Sequence, residues 1–110
     1  MNIEQHDSII QTLQNCVKMC NECFDACLKE DHVVMMAECI RLDRECAEVC
    51  GLLEQFISRN SQFSAELAVL CAKVCEACAN ECKHHDHEHC KRCAEVCLAC
   101  AEACRRQTAA

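Results

Sequence analysis

Read for polarity alone, the chain shows four segments in which apolar or small residues return at intervals of three and four, with Lys, Glu, Arg and Asn between them. That interval keeps one set of side chains on one face of an α-helix. The pattern predicts helices over 8–28, 32–57, 62–83 and 87–106. Lys29-Glu30-Asp31, Ser58-Arg59-Asn60-Ser61 and His84-His85-Asp86 interrupt it, and Asp31, Ser61 and Asp86 stand where they could cap the helix that follows. Four helices of about 20–25 residues, joined by short turns, predict an all-α fold, an antiparallel up-down-up-down four-helix bundle. No linker or low-complexity stretch divides the chain, so residues 1–110 are expected to form a single domain.

Composition narrows the picture. The chain has no Pro and one Gly, which argues against a turn-rich β architecture. A formal net charge of −7 argues against a nucleic-acid partner, since phosphates call for a basic face. No stretch approaches the roughly 18 uninterrupted apolar residues of a membrane span. The first residues, MNIEQHDSII, lack the basic region and apolar run of a secretory signal, so a cytoplasmic location is expected.

The inward stripe carries the unexpected chemistry. A bundle normally fills it with Leu and Ile, but here it carries thiols: 16 of 110 residues are Cys. The spacing C-x3-C-x2-C-x3-C recurs in CVKMCNECFDAC (16–27), CAKVCEACANEC (71–82) and CAEVCLACAEAC (93–104). Residues 39–50, CIRLDRECAEVC, keep the register with Asp43 on the second rung, and Cys90 adds a rung ahead of the last ladder.

A few buried thiols need no function, because free Cys behaves as a small hydrophobe. Sixteen in register are another matter: Cys is smaller than Leu, and a thiol-lined core is expected to be underpacked unless something fills it. Disulfides fit poorly. Neighbours at i+3 or i+4 are badly oriented for them, a reducing compartment opposes them, and the ladder offers no unique pairing. The C-x-x-C pairs lack the βαβ context of thioredoxin-like motifs. Iron–sulfur clusters use a few Cys at loop spacings, and Glu81-x-x-His84 is a lone and off-stripe match to a carboxylate di-iron motif.

A soft metal remains, and charge selects among the candidates. Zn(II) in four-thiolate sites leaves about −2 per site, which is costly when stacked in a narrow tube. Cu(I) takes two or three thiolates, and thiolates that bridge ions approach one ion per Cys, so the filled interior is nearly neutral.

The turn between helices 1 and 2 and the turn between helices 3 and 4 fall at one end of such a bundle. His32, Met35, Met36, His84, His85, His87 and His89 gather there, extending the thiol stripes outward. Ile9, Leu13, Leu53, Phe56, Phe63 and Leu67 gather at the other end as an apolar plug. Copper is therefore expected to enter at the His/Met end, where the dipole of helix 4 favours neutral imidazoles. His6 is expected at the surface. Asp43 has three open roles: metal ligand, hydrogen-bond acceptor from thiols, or ion-pair partner of Arg41 or Arg44.

The four ladders, CIRLDREC at 39–46 and the stretch from Cys75 to Cys93 with HDHEHCxxC closely resemble the bacterial copper storage proteins, in particular their cytosolic members. The resemblance covers nearly the whole chain. It implies a homotetramer of four-helix bundles, each storing many Cu(I) ions by thiolate coordination. Cys16, Cys20, Cys23, Cys27, Cys39, Cys46, Cys50, Cys71, Cys75, Cys78, Cys82, Cys90, Cys93, Cys97, Cys100 and Cys104 would be the ligands. Asp43, His32, Met35, Met36, His85, His87 and His89 would serve as accessory or mouth residues.

The expectation is thus a cytosolic Cu(I) store and not an enzyme, with copper ions and a cytosolic Cu(I) chaperone as partners. A metallothionein-like Zn(II) or Cd(II) buffer and a thiol redox or peroxide-sensing protein are the alternatives. The redox reading needs an exposed thiol of low pKa.

Overall fold

The computed structural model describes residues 3–108, which form four helices: α1 (Ile3–Leu28), α2 (Ala37–Ser58), α3 (Ser64–Cys82) and α4 (Glu88–Thr108). They run antiparallel, up-down-up-down. Each helix packs against its neighbours in sequence, and α4 closes the ring against α1. The molecule is a rod of 46 × 20 × 20 Å. Its length is close to that of a helix of about 26 residues at about 1.5 Å per residue.

The apolar stripe sets the faces, and the ends follow local chemistry. The turn after α2 is a Schellman motif: Ser61 N–H bonds Phe56 O at 2.9 Å and Asn60 N–H bonds Ile57 O at 3.0 Å. Asn60 supplies the left-handed residue this requires, at φ 55°. Ser61 does not cap α3, which begins at Ser64 with Phe63 at its N-cap and no side-chain cap; its Oγ instead accepts the Phe63 N–H at 3.1 Å within the turn.

Asp31 does not cap. The chain between α1 and α2 instead makes a 3₁₀ turn, Val33–Met36, and α2 begins at Ala37 with no side-chain cap. At α4 the first-turn bonds of Cys90 and Lys91 go to the His87 carbonyl, one residue beyond Asp86.

All sixteen Cys are fully buried, and so is Asp43. At the far end Ile9, Leu13, Leu53 and Ile57 close the core. Phe63 is not in this plug: it lies at the start of α3 and is 53% exposed. Ile57, in the last turn of α2, takes the inward place. His6 is half-buried rather than free on the surface, with Nε2 3.0 Å from the Ile57 carbonyl, tying α1 to the end of α2. Arg41 and Arg44 point outward to Glu38 and Glu48, so neither pairs with Asp43.

Gly51, the only Gly in the chain, sits inside α2 with ordinary helical backbone. A Cβ there would meet only Val17 Cγ2, at 4.0 Å. Gly51→Ala is therefore expected to stabilise the metal-free protein by about 1 kcal/mol in chemical denaturation, the usual cost of a Gly in a helix interior. A loss of stability would show that α2 and α1 need closer approach than this spacing allows.

Candidate metal centre

The 4-3-4 ladders point all four helices' thiols at one axis. The diagonal backbones stay apart, yet their side chains meet across the centre: Cys46 Sγ lies 3.9 Å from Cys97 Sγ, and Cys50 Sγ lies 3.8 Å from Cys100 Sγ. Between adjacent helices the sulfurs approach to 3.6 Å (Cys20–Cys97, Cys46–Cys75), 3.5 Å (Cys50–Cys75) and 3.4 Å (Cys39–Cys82). All sixteen are free thiols. These are van der Waals contacts between sulfurs. Facing thiols thus touch one another along the stripe.

The thiols form overlapping tetrads whose sulfurs all lie within 4.8 Å of one another. Cys50, Cys71, Cys75 and Cys100 make one. It shares Cys50 and Cys75 with the set Cys16, Cys46, Cys50 and Cys75. That set shares Cys16 and Cys46 with Cys16, Cys20, Cys46 and Cys97, which in turn shares Cys20 and Cys97 with Cys20, Cys78, Cys93 and Cys97. Cys104 extends the stripe beyond Cys100 toward the plug. Such sharing suits bridging thiolates, each serving two soft ions.

A further tetrad, Cys23, Cys27, Cys39 and Cys90, lies toward the opposite end. Asp43 joins it to the inner series. Its Oδ1 receives the thiols of Cys78 (3.2 Å), Cys93 (3.3 Å) and Cys82 (3.7 Å), and its Oδ2 that of Cys39 (3.8 Å). Burial, and then the electron-rich sulfurs of Cys93, Cys78 and Cys39, push the Asp43 carboxyl up to about 11. It is a neutral acid among thiols at neutral pH. Burial also raises Cys27 and Cys90, the latter to about 12, whereas hydrogen bonds from Cys23 and Cys82 pull Cys39 down.

Most of the residues expected at the mouth come together, but His84 is exposed and lies outside the cavity they line. His32, Met35, His85 and His87 line one cavity of about 240 Å³ with Met36, Glu30 and Asp31. Their reach differs. Met36 is buried and continues the core, whereas Met35 is 74% exposed. Met36, three residues before Cys39, keeps the inward register at the end of the 3₁₀ turn, and Met35 turns outward from it. His85 bonds Glu81 (2.8 Å) and His87 bonds Glu30 (3.0 Å).

Among these residues, His89 carries the contacts to thiols. Its Nδ1 lies 3.4 Å from Cys23 Sγ, 3.5 Å from Cys90 Sγ and 3.9 Å from Cys27 Sγ. Glu30, which the sequence marked only as part of a helix break, bonds both His87 and His89. The signal for it was a carboxylate one turn from a His-rich segment across the same end.

Comparison with known proteins agrees with this geometry. The profile of the copper storage protein family matches residues 2–109. A Bacillus subtilis (strain 168) protein described as an uncharacterized cysteine-rich protein, YhjQ, is 45% identical over 90 residues, 81% of this chain and 83% of that one. The solved Cu(I)-bound copper storage protein BsCsp3 superposes with a TM-score of 0.91 at 45% identity, covering 96% of this chain and 99% of that one. A cytosolic copper storage protein from Streptomyces lividans, solved with five coppers, gives a TM-score of 0.93 at 37% identity, covering 97% and 94% of the two chains.

Proposed function

The chain belongs to the copper storage protein family, and from that premise we propose that it sequesters Cu(I) inside the bundle, approaching one ion per Cys, with ions entering at the His/Met end. The observation that carries this reading is the run of overlapping tetrads: sixteen buried, unbridged thiols, with Cys16, Cys20, Cys46, Cys50, Cys75 and Cys97 each shared between neighbouring sets. Shared thiolates favour a monovalent soft ion. Sixteen Cu⁺ against sixteen S⁻ leave the interior neutral, whereas divalent ions in separate four-thiolate sites would leave about −2 buried at each. Asp43, neutral and hard, acts as a hydrogen-bonding spacer and not a ligand.

The mouth cavity with His89 behind it supports that route inward, and the closed apolar end opposes the alternative. The reading is of storage, with no catalytic step, by residues 1–110 acting as one unit in the cytoplasm. Loading from a cytosolic Cu(I) chaperone and assembly into a homotetramer belong to the same proposal. The exposed apolar side chains of Leu52, Leu70 and Leu98 on the outer faces support the assembly.

The test is an anaerobic Cu(I) titration of the reduced, metal-free protein against a competing chelator, with protein counted by its thiols because the chain lacks Trp and Tyr. Uptake is expected to approach sixteen ions per chain, with roughly one proton released per thiol filled. Saturation near four ions, together with Zn(II) binding of the same count, would replace storage with a Zn(II) or Cd(II) buffer. A thiol count that falls without metal uptake would point to redox chemistry.

A further inference from the structure

Resting on the reading that ions enter at this end, we propose that Glu30 is the positioning residue of the mouth: it fixes the tautomer and aim of His89, so that an unprotonated Nδ1 faces the first thiols an arriving Cu(I) meets. Glu30 lies just beyond α1, anchored by its N–H to the Cys27 carbonyl at 3.2 Å. Its Oε2 stands 3.0 Å from His87 Nδ1 and 3.4 Å from His89 Nε2, and the two imidazole rings lie nearly parallel with centroids 5.3 Å apart. One carboxylate from the α1–α2 connection thus holds two imidazoles from the opposite connection and the start of α4.

The chemistry follows from what a carboxylate can do. Ionised, it only accepts hydrogen bonds, so the proton on the His89 ring must sit at Nε2. A neutral ring then has its lone pair at Nδ1, the nitrogen that lies 3.4 Å and 3.5 Å from Cys23 and Cys90. That nitrogen and those two sulfurs form a three-donor set in a site only 16% open at the His89 side chain. Without the carboxylate the ring is free to protonate Nδ1 or to turn away, and the first donor set is lost. A carboxylate behind a ligating imidazole commonly affects metal affinity or activity by about 10–100-fold. The His87 bond, shorter and more exposed, fixes the carboxylate's own position and leaves Oε2 between the rings.

Two readouts test this. The first needs no metal. Nitrogen-15 spectra of the reduced apo protein are expected to show His89 protonated at Nε2. The same tautomer is expected in Glu30→Gln, whose amide oxygen still accepts, with a shift toward a mixture in Glu30→Leu.

The second is the rate of the first Cu(I) transfer from a bicinchoninate complex, with total capacity as the control for an intact tube. Glu30→Leu is expected to slow it about tenfold, and Glu30→Gln to restore most of the rate. Adding Glu30→Leu to His89→Ala should slow it no further. His89 found protonated at Nδ1 in the wild type overturns the proposal. So does a Glu30→Leu effect that persists in full without His89, because the carboxylate would then be acting as a steering charge. A wild-type rate in His89→Ala overturns the reading of this end as the way in, and is recognisable because the nitrogen spectra are untouched by it.

Discussion

Filling the thiol tube with Cu(I) is expected to raise the thermal unfolding midpoint by more than about 20 °C over the reduced, metal-free protein. A ligand stabilises a fold only by its preference for the folded over the unfolded state. Unfolded thiols bind Cu(I) too, so the relevant quantity is the advantage of prearranged, shared tetrads over a flexible chain. A tenfold preference per ion is about 1.4 kcal/mol. Even a quarter of the sixteen thiols filled at that preference gives more than about 5 kcal/mol, comparable with the whole stability of an ordinary domain. For a chain of this size each kcal/mol moves the midpoint by roughly 4 °C or more. Helical circular dichroism on apo and loaded samples under nitrogen measures it, with removal of copper by a strong chelator returning the original curve. A midpoint that does not move while sixteen ions are bound would place the metal outside the folded interior, as on an opened, metallothionein-like chain.

The reason this expectation can be framed in residues is that the interior was nearly all legible in the sequence. Intervals of three and four on a helix admit one inward face. Every Cys on that face, with Asp43 standing in as a rung, is buried without exception. A thiol ladder leaves the chain little choice, because shifting any helix by one position would expose its thiols and bury Lys or Glu.

The ends were less legible because short-range hydrogen bonding decides them. Nothing in Asp31-His32-Val33 announces a 3₁₀ turn, in which Met36 is buried and Met35 exposed. Phe63 is apolar yet exposed, since its place just before α3 is set by the Schellman turn at Asn60 and not by hydrophobicity. The mouth was foreseen as a set of residues but not as an arrangement. Sequence placed six His and Met side chains at one end beside His84; only folding the two connections against each other sets Glu30 behind His87 and His89 and singles out His89 as the imidazole against thiols.

Replacing Asp43 with Asn is expected to stabilise the metal-free protein by several kcal/mol at neutral pH and by almost nothing at pH 4. The carboxyl is fully buried, and Cys39 of α2, Cys78 and Cys82 of α3, and Cys93 of α4 face it. Its folded-state pKa is raised from 3.8 to about 11, first by burial. The sign follows directly. Below 3.8 the group carries its proton in both states and costs nothing. As pH rises above 3.8 the unfolded chain ionises while the folded chain holds its proton. Stability relative to a side chain that does not titrate then falls by about 1.4 kcal/mol per pH unit until the folded carboxyl ionises near 11.

At pH 7 the accumulated cost is about 4 kcal/mol. Asn has the same shape, offers an N–H in place of the acid proton, and titrates nowhere. The surrounding thiols titrate in both proteins, so the difference between the two denaturation curves isolates Asp43. That difference should grow steadily from pH 4 to pH 8. A flat difference would mean that the carboxyl is ionised inside the bundle, its charge carried by hydrogen bonds from the four thiols. Asp43 would then be an anionic site in the middle of the tube, and copper would meet it as a ligand instead of a spacer.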